Sequence, residues 1–129
     1  MTTKKTAVTL AAAAALALGL GATTYGSETA LHTNYFTFKQ AVAIPGAVLS
    51  PGTYIFERAE ADEPDVIVVR DKARTKVLFL GFTDRIDRPR NLQRGSAVTL
   101  GESRPGEPVP IVAYYPLESS RGHRFLYSR

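Results

Sequence analysis

Beyond residue 27 the apolar positions fall in short runs that alternate with polar ones, and no stretch keeps the 3.6-residue rhythm of an amphipathic helix. Within Asn34 to Ile44, the residues Phe36, Phe38, Val42 and Ile44 share one parity and so point to one face of a strand, which Gln40 interrupts. Pro45-Gly46 and Pro51-Gly52 each set Pro and Gly at the second and third positions of a type II turn, with only Ala47-Val48-Leu49-Ser50 between them. A second strand is expected over Thr53 to Arg58, carrying Tyr54 and Phe56 on one face and Ile55 on the other. After a charged loop from Ala59 to Asp65, the runs Val66 to Arg70 and Lys76 to Phe82 flank Asp71 to Thr75 as a hairpin. Both are apolar enough to be expected in the middle of the sheet.

A polar stretch from Thr83 to Gly95 precedes a fifth strand, Ser96 to Glu102. The Pro- and Gly-containing turn from Ser103 to Pro108 leads to a sixth, Val109 to Tyr115, and the loop Pro116 to Gly122 leads to a seventh, His123 to Ser128. No connection is long or periodic enough to be a crossover helix. About seven short strands at this spacing predict an all-β fold, a single small antiparallel β-sandwich or barrel.

The N-terminus has a different character. Lys4 and Lys5 precede an apolar run of Ala and Leu from Ala7 to Leu20, followed by the small residues Gly21 and Ala22, which is the pattern of a signal peptide helix. The run falls short of the roughly 20 residues that a membrane-spanning helix needs. An uncleaved anchor is the alternative, because Leu20-Gly21-Ala22 and Thr24-Tyr25-Gly26 are both imperfect cleavage sites. The leader is therefore read as residues 1–26 and the single β domain as residues 27–129. This predicts an exported protein, periplasmic or extracellular, with no transmembrane span after cleavage.

Composition narrows the chemistry. The sequence has no Cys, one Met, no Trp and two His. That excludes disulfides, thiolate nucleophiles, Cys-ligated metals and a lipid-bearing Cys. The formal charge of +4 is partly a property of the leader, since without Lys4 and Lys5 there are 14 basic residues against 12 acidic ones. The acidic run Glu57, Glu60, Asp62, Glu63 and Asp65 lacks the spacing of a calcium loop, so no metal or cofactor is expected.

Three features remain as candidates for contact with a partner. Arg85, Arg88, Arg90 and Arg94 crowd one polar stretch, where guanidinium forks could hold phosphate or carboxylate groups, although Asp84 and Asp87 lie among them. Tyr114 and Tyr115 are adjacent in a strand and must face opposite ways, so one of them is expected at the surface. His123 lies between Arg121 and Arg124 at a loop-to-strand junction. No Gly-x-Ser-x-Gly elbow accompanies it, and the nearest serines are Ser119 and Ser120, so no catalytic residue is assigned. His32 falls near the expected start of the mature chain.

The stretch Ile44 to Phe56, with its two Pro-Gly turns and Pro-Gly-Thr-Tyr-Ile-Phe strand, the Val-rich run Val66 to Asp71, and Gly122-His123-Arg124-Phe125-Leu126-Tyr127 resemble a group of small exported bacterial β proteins. The resemblance spans most of the chain beyond the leader. It implies an exported β domain and carries over no catalytic residues. The expected role is that of a non-enzymatic binding or structural module of the cell envelope or exterior, meeting an anionic envelope polymer or another envelope protein. Nucleic acid is disfavoured, because the Arg cluster lacks interleaved aromatics for base stacking. The alternatives are self-association through the terminal strands Asn34 to Ile44 and His123 to Ser128, expected at sheet edges, and a small hydrolase using His123.

Overall fold

The computed structural model describes residues 22–25, 27–30, 33–60, 62–92 and 94–128. The leader through residue 21 and His32 lie outside the described residues. The described residues form eleven strands: β1 (Ala22–Tyr25), β2 (Ser27–Ala30), β3 (Thr33–Phe38), β4 (Val42–Ile44), β5 (Ala47–Leu49), β6 (Gly52–Glu60), β7 (Glu63–Asp71), β8 (Val77–Asp87), β9 (Ala97–Leu100), β10 (Val109–Tyr115) and β11 (Arg121–Phe125).

The main sheet runs β1-β9-β10-β11-β8-β7-β6-β3-β2, all antiparallel, and β4 lies parallel to β10 while pairing with β5. The two ends of this order are β1 and β2, which are consecutive in the chain, so the sheet curls until it nearly closes into a barrel. The fold is all-β as the alternation predicts, with more and shorter strands than seven. The expected strand Asn34 to Ile44 bends at Lys39 and Gln40 into β3 and β4, yet Phe36, Phe38, Val42 and Ile44 are all buried, as their shared parity requires. The first Pro-Gly makes the expected turn, with Gly46 at φ +78°, and Gly106 does the same at +84°. Gly52 is nearly extended and already pairs with Phe38 as the first residue of β6, so Pro51-Gly52 starts a strand instead of making a type II turn.

Several expectations are corrected. The charged loop Ala59 to Asp65 shrinks to the tight connection between β6 and β7, with Glu60 opposite Glu63. Strand β8 runs on to Asp87, because Thr83 to Asp87 pair with β11 along its whole length. Arg85 is therefore a strand residue. The β7–β8 hairpin is internal to the sheet as expected, but only one face of β8 is covered. Leu80 and Phe82 on the other face are 61% and 68% exposed. Neither terminal segment is an edge: β3 lies between β6 and β2, and β11 between β10 and β8. β2, upstream of Thr33, covers the outer side of β3, and β1, which pairs with β9, precedes Ser27, the expected start of the domain.

The core fills the barrel with Phe36, Phe38, Phe56, Ile67, Val69, Val98, Leu100, Ile111, Tyr114 and Phe125, joined by Val42, Ile44 and Leu49 from the β4–β5 hairpin. Phe56 is its centre, with ring centroids at 5.2 Å from Phe36, 5.5 Å from Tyr114, 6.3 Å from Phe125 and 6.5 Å from Phe38. Two clamps outside the core fix the hairpins. Asp71 accepts from the Thr75 hydroxyl at 2.6 Å and from the Thr75 and Lys76 amides at 2.8 and 2.9 Å, which also holds its carboxyl below the usual range. Tyr127 donates across the β4–β10 seam, where the Ile111 and Ala43 carbonyl oxygens lie 2.6 and 3.0 Å from its hydroxyl. Burial pushes its phenol up to about 12.

Candidate functional site

The inner face of the barrel changes character toward the end where β6 turns into β7. Along β6, Tyr54 and Phe56 pack into the core and Arg58 follows on the same parity. Along β8, Phe79 packs inward, Thr83 is buried and Arg85 follows. Along β11, read backwards, Phe125 is succeeded by His123 and then Arg121. Three neighbouring regions of the sheet thus pass from apolar to cationic residues at one mouth, around a cleft of about 550 Å³. Pro64, Pro116 and Leu117 form its apolar walls, and the loop carrying Glu118 and Ser119 forms its rim. Mouths of β-barrels are common places for ligands, since inward-facing side chains converge there without having to be buried.

Two of the charges at this mouth, Arg85 and Arg121, are lightly held. Arg85 donates from Nε to Asp65 Oδ1 at 3.0 Å, and Arg121 approaches Asp87 at 3.5 Å, with all four side chains well exposed. Such surface pairs are worth about 0–1 kcal/mol, so an anion entering the cleft competes with them at little cost. Glu57, by contrast, is firmly engaged on the outer face by Thr33, Arg70 and Arg74. Partial burial alone would raise its carboxyl, but those hydrogen bonds outweigh it and hold the carboxyl below the usual range.

His123 is a wall residue of the cleft, almost fully buried, with its ring stacked on Tyr114 at 5.9 Å. The Thr83 hydroxyl donates to the Asp65 carbonyl at 3.0 Å and lies 3.1 Å from His123 Nδ1. With its one proton so used, the Thr83 oxygen accepts from Nδ1–H, which leaves the lone pair of the neutral imidazole on Nε2. Burial lowers the His123 pKa, Asp65 partly counters this, and Arg85 and Arg58 reinforce it. A lowered folded value means that His123 contributes its stability above the unfolded value of 6.5, and that this contribution is lost as pH falls through the folded value. Urea midpoints are therefore expected to fall below pH 6.5 in the native protein, and to fall less in a His123→Gln variant over the same range. Equal slopes would show that His123 does not titrate against folding.

The expected site residues divide. Arg85 and His123 come together in the mouth, whereas Arg90 and Arg94 line a second cleft of about 310 Å³. Arg88 also borders that cleft, but its guanidinium stitches two loops together. Nη1 donates to the Pro116 and Ser119 carbonyls at 2.9 and 3.2 Å, and Nη2 donates to that of Gly95 at 2.5 Å. Its own backbone amide donates to the Ser120 carbonyl at 2.9 Å. Arg88 is thus a fastening of the rim.

The tyrosines are corrected as well, since both are buried. Tyr114 enters the core, its hydroxyl 2.5 Å from Asn34 Oδ1 and 3.1 Å from the Phe56 carbonyl, with one edge of the ring on the cleft. Tyr115 faces the other side as predicted, but the Arg88 guanidinium covers it at 5.8 Å from the ring centre. Sequence reasoning missed Arg58 and Arg121. The signal was present in their parity: each stands on the core-facing side of its strand, at positions where a core would call for an apolar residue.

Ser119 lines the same cleft as His123, but its hydroxyl oxygen accepts the Arg121 amide at 3.1 Å. The arrangement is chemically suited to holding an anion: forked donors and apolar walls that lower the local dielectric. No helix among the described residues is long and apolar enough to cross a membrane. No protein family, curated protein or solved structure matches this chain.

Proposed function

We propose that this chain is an exported, non-enzymatic β domain that binds an anionic group of the cell envelope or its surroundings at the barrel mouth. The observation that carries the reading is the convergence of Arg58, Arg85 and Arg121 on one cleft, from strands far apart in the chain. Arginine forks match carboxylate, sulfate and phosphate oxygens in pairs, and Arg85 and Arg121 stand here in weak surface ion pairs. The leader pattern and the resemblance to small exported bacterial proteins support the compartment. A binding role suits the placement of His123, whose Nδ1 is engaged with Thr83 and whose ring is stacked on Tyr114.

The experiment is co-sedimentation of the purified domain with envelope and acidic polysaccharide fractions across a salt series. Surface electrostatics weaken as the Debye length shrinks from about 10 Å at 0.1 M to about 3 Å at 1 M salt. Binding is expected to fall steeply with salt and to be lost in an Arg85→Ala, Arg121→Ala double variant. Binding indifferent to salt, or undiminished in that variant, would overturn the reading.

A further inference from the structure

The barrel-mouth cleft and the second cleft share two residues, Glu118 and Ser119, which form a saddle between them. On one side stand Arg58, Arg85 and Arg121, and on the other Arg90 and Arg94, both exposed. The saddle is built with care. Glu118 holds a left-handed backbone conformation, φ +55°, which a side chain other than glycine adopts at some cost. Its amide donates to the Arg94 carbonyl at 3.0 Å, so the loop between β8 and β9 is tied to the loop between β10 and β11. Arg88 adds its three carbonyl contacts across the same junction. The two clefts are thereby held in fixed relation, as a ligand spanning both would require.

A single small anion would use only one of these clefts. We propose that the ligand is an extended acidic glycan, a linear chain bearing carboxylate or sulfate groups, that lies across both clefts over the Glu118–Ser119 saddle. The proposal rests on the anion-binding reading of the mouth and specifies its ligand. Repeated acidic groups along a chain would meet the two arginine sets in succession, with sugar hydroxyls passing the Ser119 and Ser120 side of the rim. Single-stranded nucleic acid fits less well, because base stacking needs exposed aromatic faces and the aromatic rings among the described lining residues, Tyr114 and His123, are 1% and 6% exposed. Glu118 is the only carboxylate among the described lining residues, and it sits where such a chain would cross.

Two linked subsites raise affinity by about 10²–10⁴ over either one when the ligand spans both. The test is calorimetric titration of the full domain with galacturonic acid, with its linear hexamer, with a sulfated hexasaccharide and with a twelve-residue oligothymidylate. One acidic hexamer or the other is expected to bind at least tenfold tighter than galacturonic acid. Arg90→Glu with Arg94→Glu should remove that gain, lowering hexamer affinity at least tenfold, and Glu118→Gln should strengthen hexamer binding severalfold. Hexamers that bind no tighter than the monomer, or that are indifferent to Arg90→Glu with Arg94→Glu, would overturn the glycan-spanning proposal and leave anion binding at the mouth intact. Tightest binding of the oligothymidylate would overturn the glycan in favour of nucleic acid. Failure of every probe to bind would overturn both readings.

Discussion

Phe56→Ala is expected to lower the unfolding free energy by about 3–5 kcal/mol, the range for removing a fully buried aromatic ring and leaving a cavity. The effect is large because Phe56 is 0% exposed and touches aromatic neighbours from three other strands: Phe36 and Phe38 on β3, Tyr114 on β10 and Phe125 on β11. Its removal takes away edge-to-face ring contacts, each worth about 0.5–1.5 kcal/mol beyond burial, on both sides of the barrel at once. At about 4–8 °C per kcal/mol for a domain of this size, the thermal midpoint should drop by roughly 12 °C or more. Phe82→Ala is the contrasting change. That ring lies on the outer face at 68% exposure, so its loss should cost within about 0.5 kcal/mol. Equal costs at the two positions in denaturant titration would mean that the outer face of β8 is as well covered as the core.

Gly122→Ala is the second large effect, and its cause is overlap instead of a void. A Cβ at position 122 would collide with Cδ1 and Cε1 of the Tyr115 ring and meet the Tyr114 carbonyl oxygen at 3.2 Å. The ring has little room to yield. Tyr115 is buried beneath the Arg88 guanidinium, which is itself fixed to three loop carbonyls, and Gly122 pairs with Ile86 in the middle of the β8–β11 ladder. Overpacking of this kind costs about 1–3 kcal/mol. Because the collision is with one side chain, Tyr115→Ala in the same protein should recover part of the loss, giving a clear coupling in a double-mutant cycle. A Gly122→Ala protein as stable as the parent would contradict the close approach of β11 to Tyr115.

How much of this could be read in the residues depends on the range of the interaction. Alternation alone placed Phe36, Phe38, Val42 and Ile44 in the core, and Pro-Gly placed the turns at Gly46 and Gly106, because both signals are local. The same local logic failed at Thr83 to Asp87, where polar residues suggested a loop. Those residues form a strand because β11 offers them a partner nearly forty positions away. Tyr115 could not be recognised as buried from its own strand, since its cover comes from Arg88 in a different loop. For the site, a cluster of arginines close in sequence attracted notice, yet the structure distributes it among a mouth residue, a loop fastening and a second cleft. Arg58 and Arg121 were overlooked because each is unremarkable beside its sequence neighbours. What singles them out is their parity with Phe56 and Phe125, visible only once a strand is followed past the end of its apolar residues.

The central claim is that the barrel mouth is the anion-binding surface, and the most direct measurement is amide chemical-shift mapping of the labelled domain titrated with galacturonate hexamer at low salt. The account predicts that the largest and saturable shifts cluster at Arg58, Arg85 and the segment from Leu117 to His123, extend to Arg90 and Arg94 where the hexamer spans the second cleft, and vanish at the mouth in the Arg85→Ala, Arg121→Ala variant. Shifts centred instead on the outer face around Leu80 and Phe82, or spread over scattered cations such as Lys72 and Arg104, would contradict it.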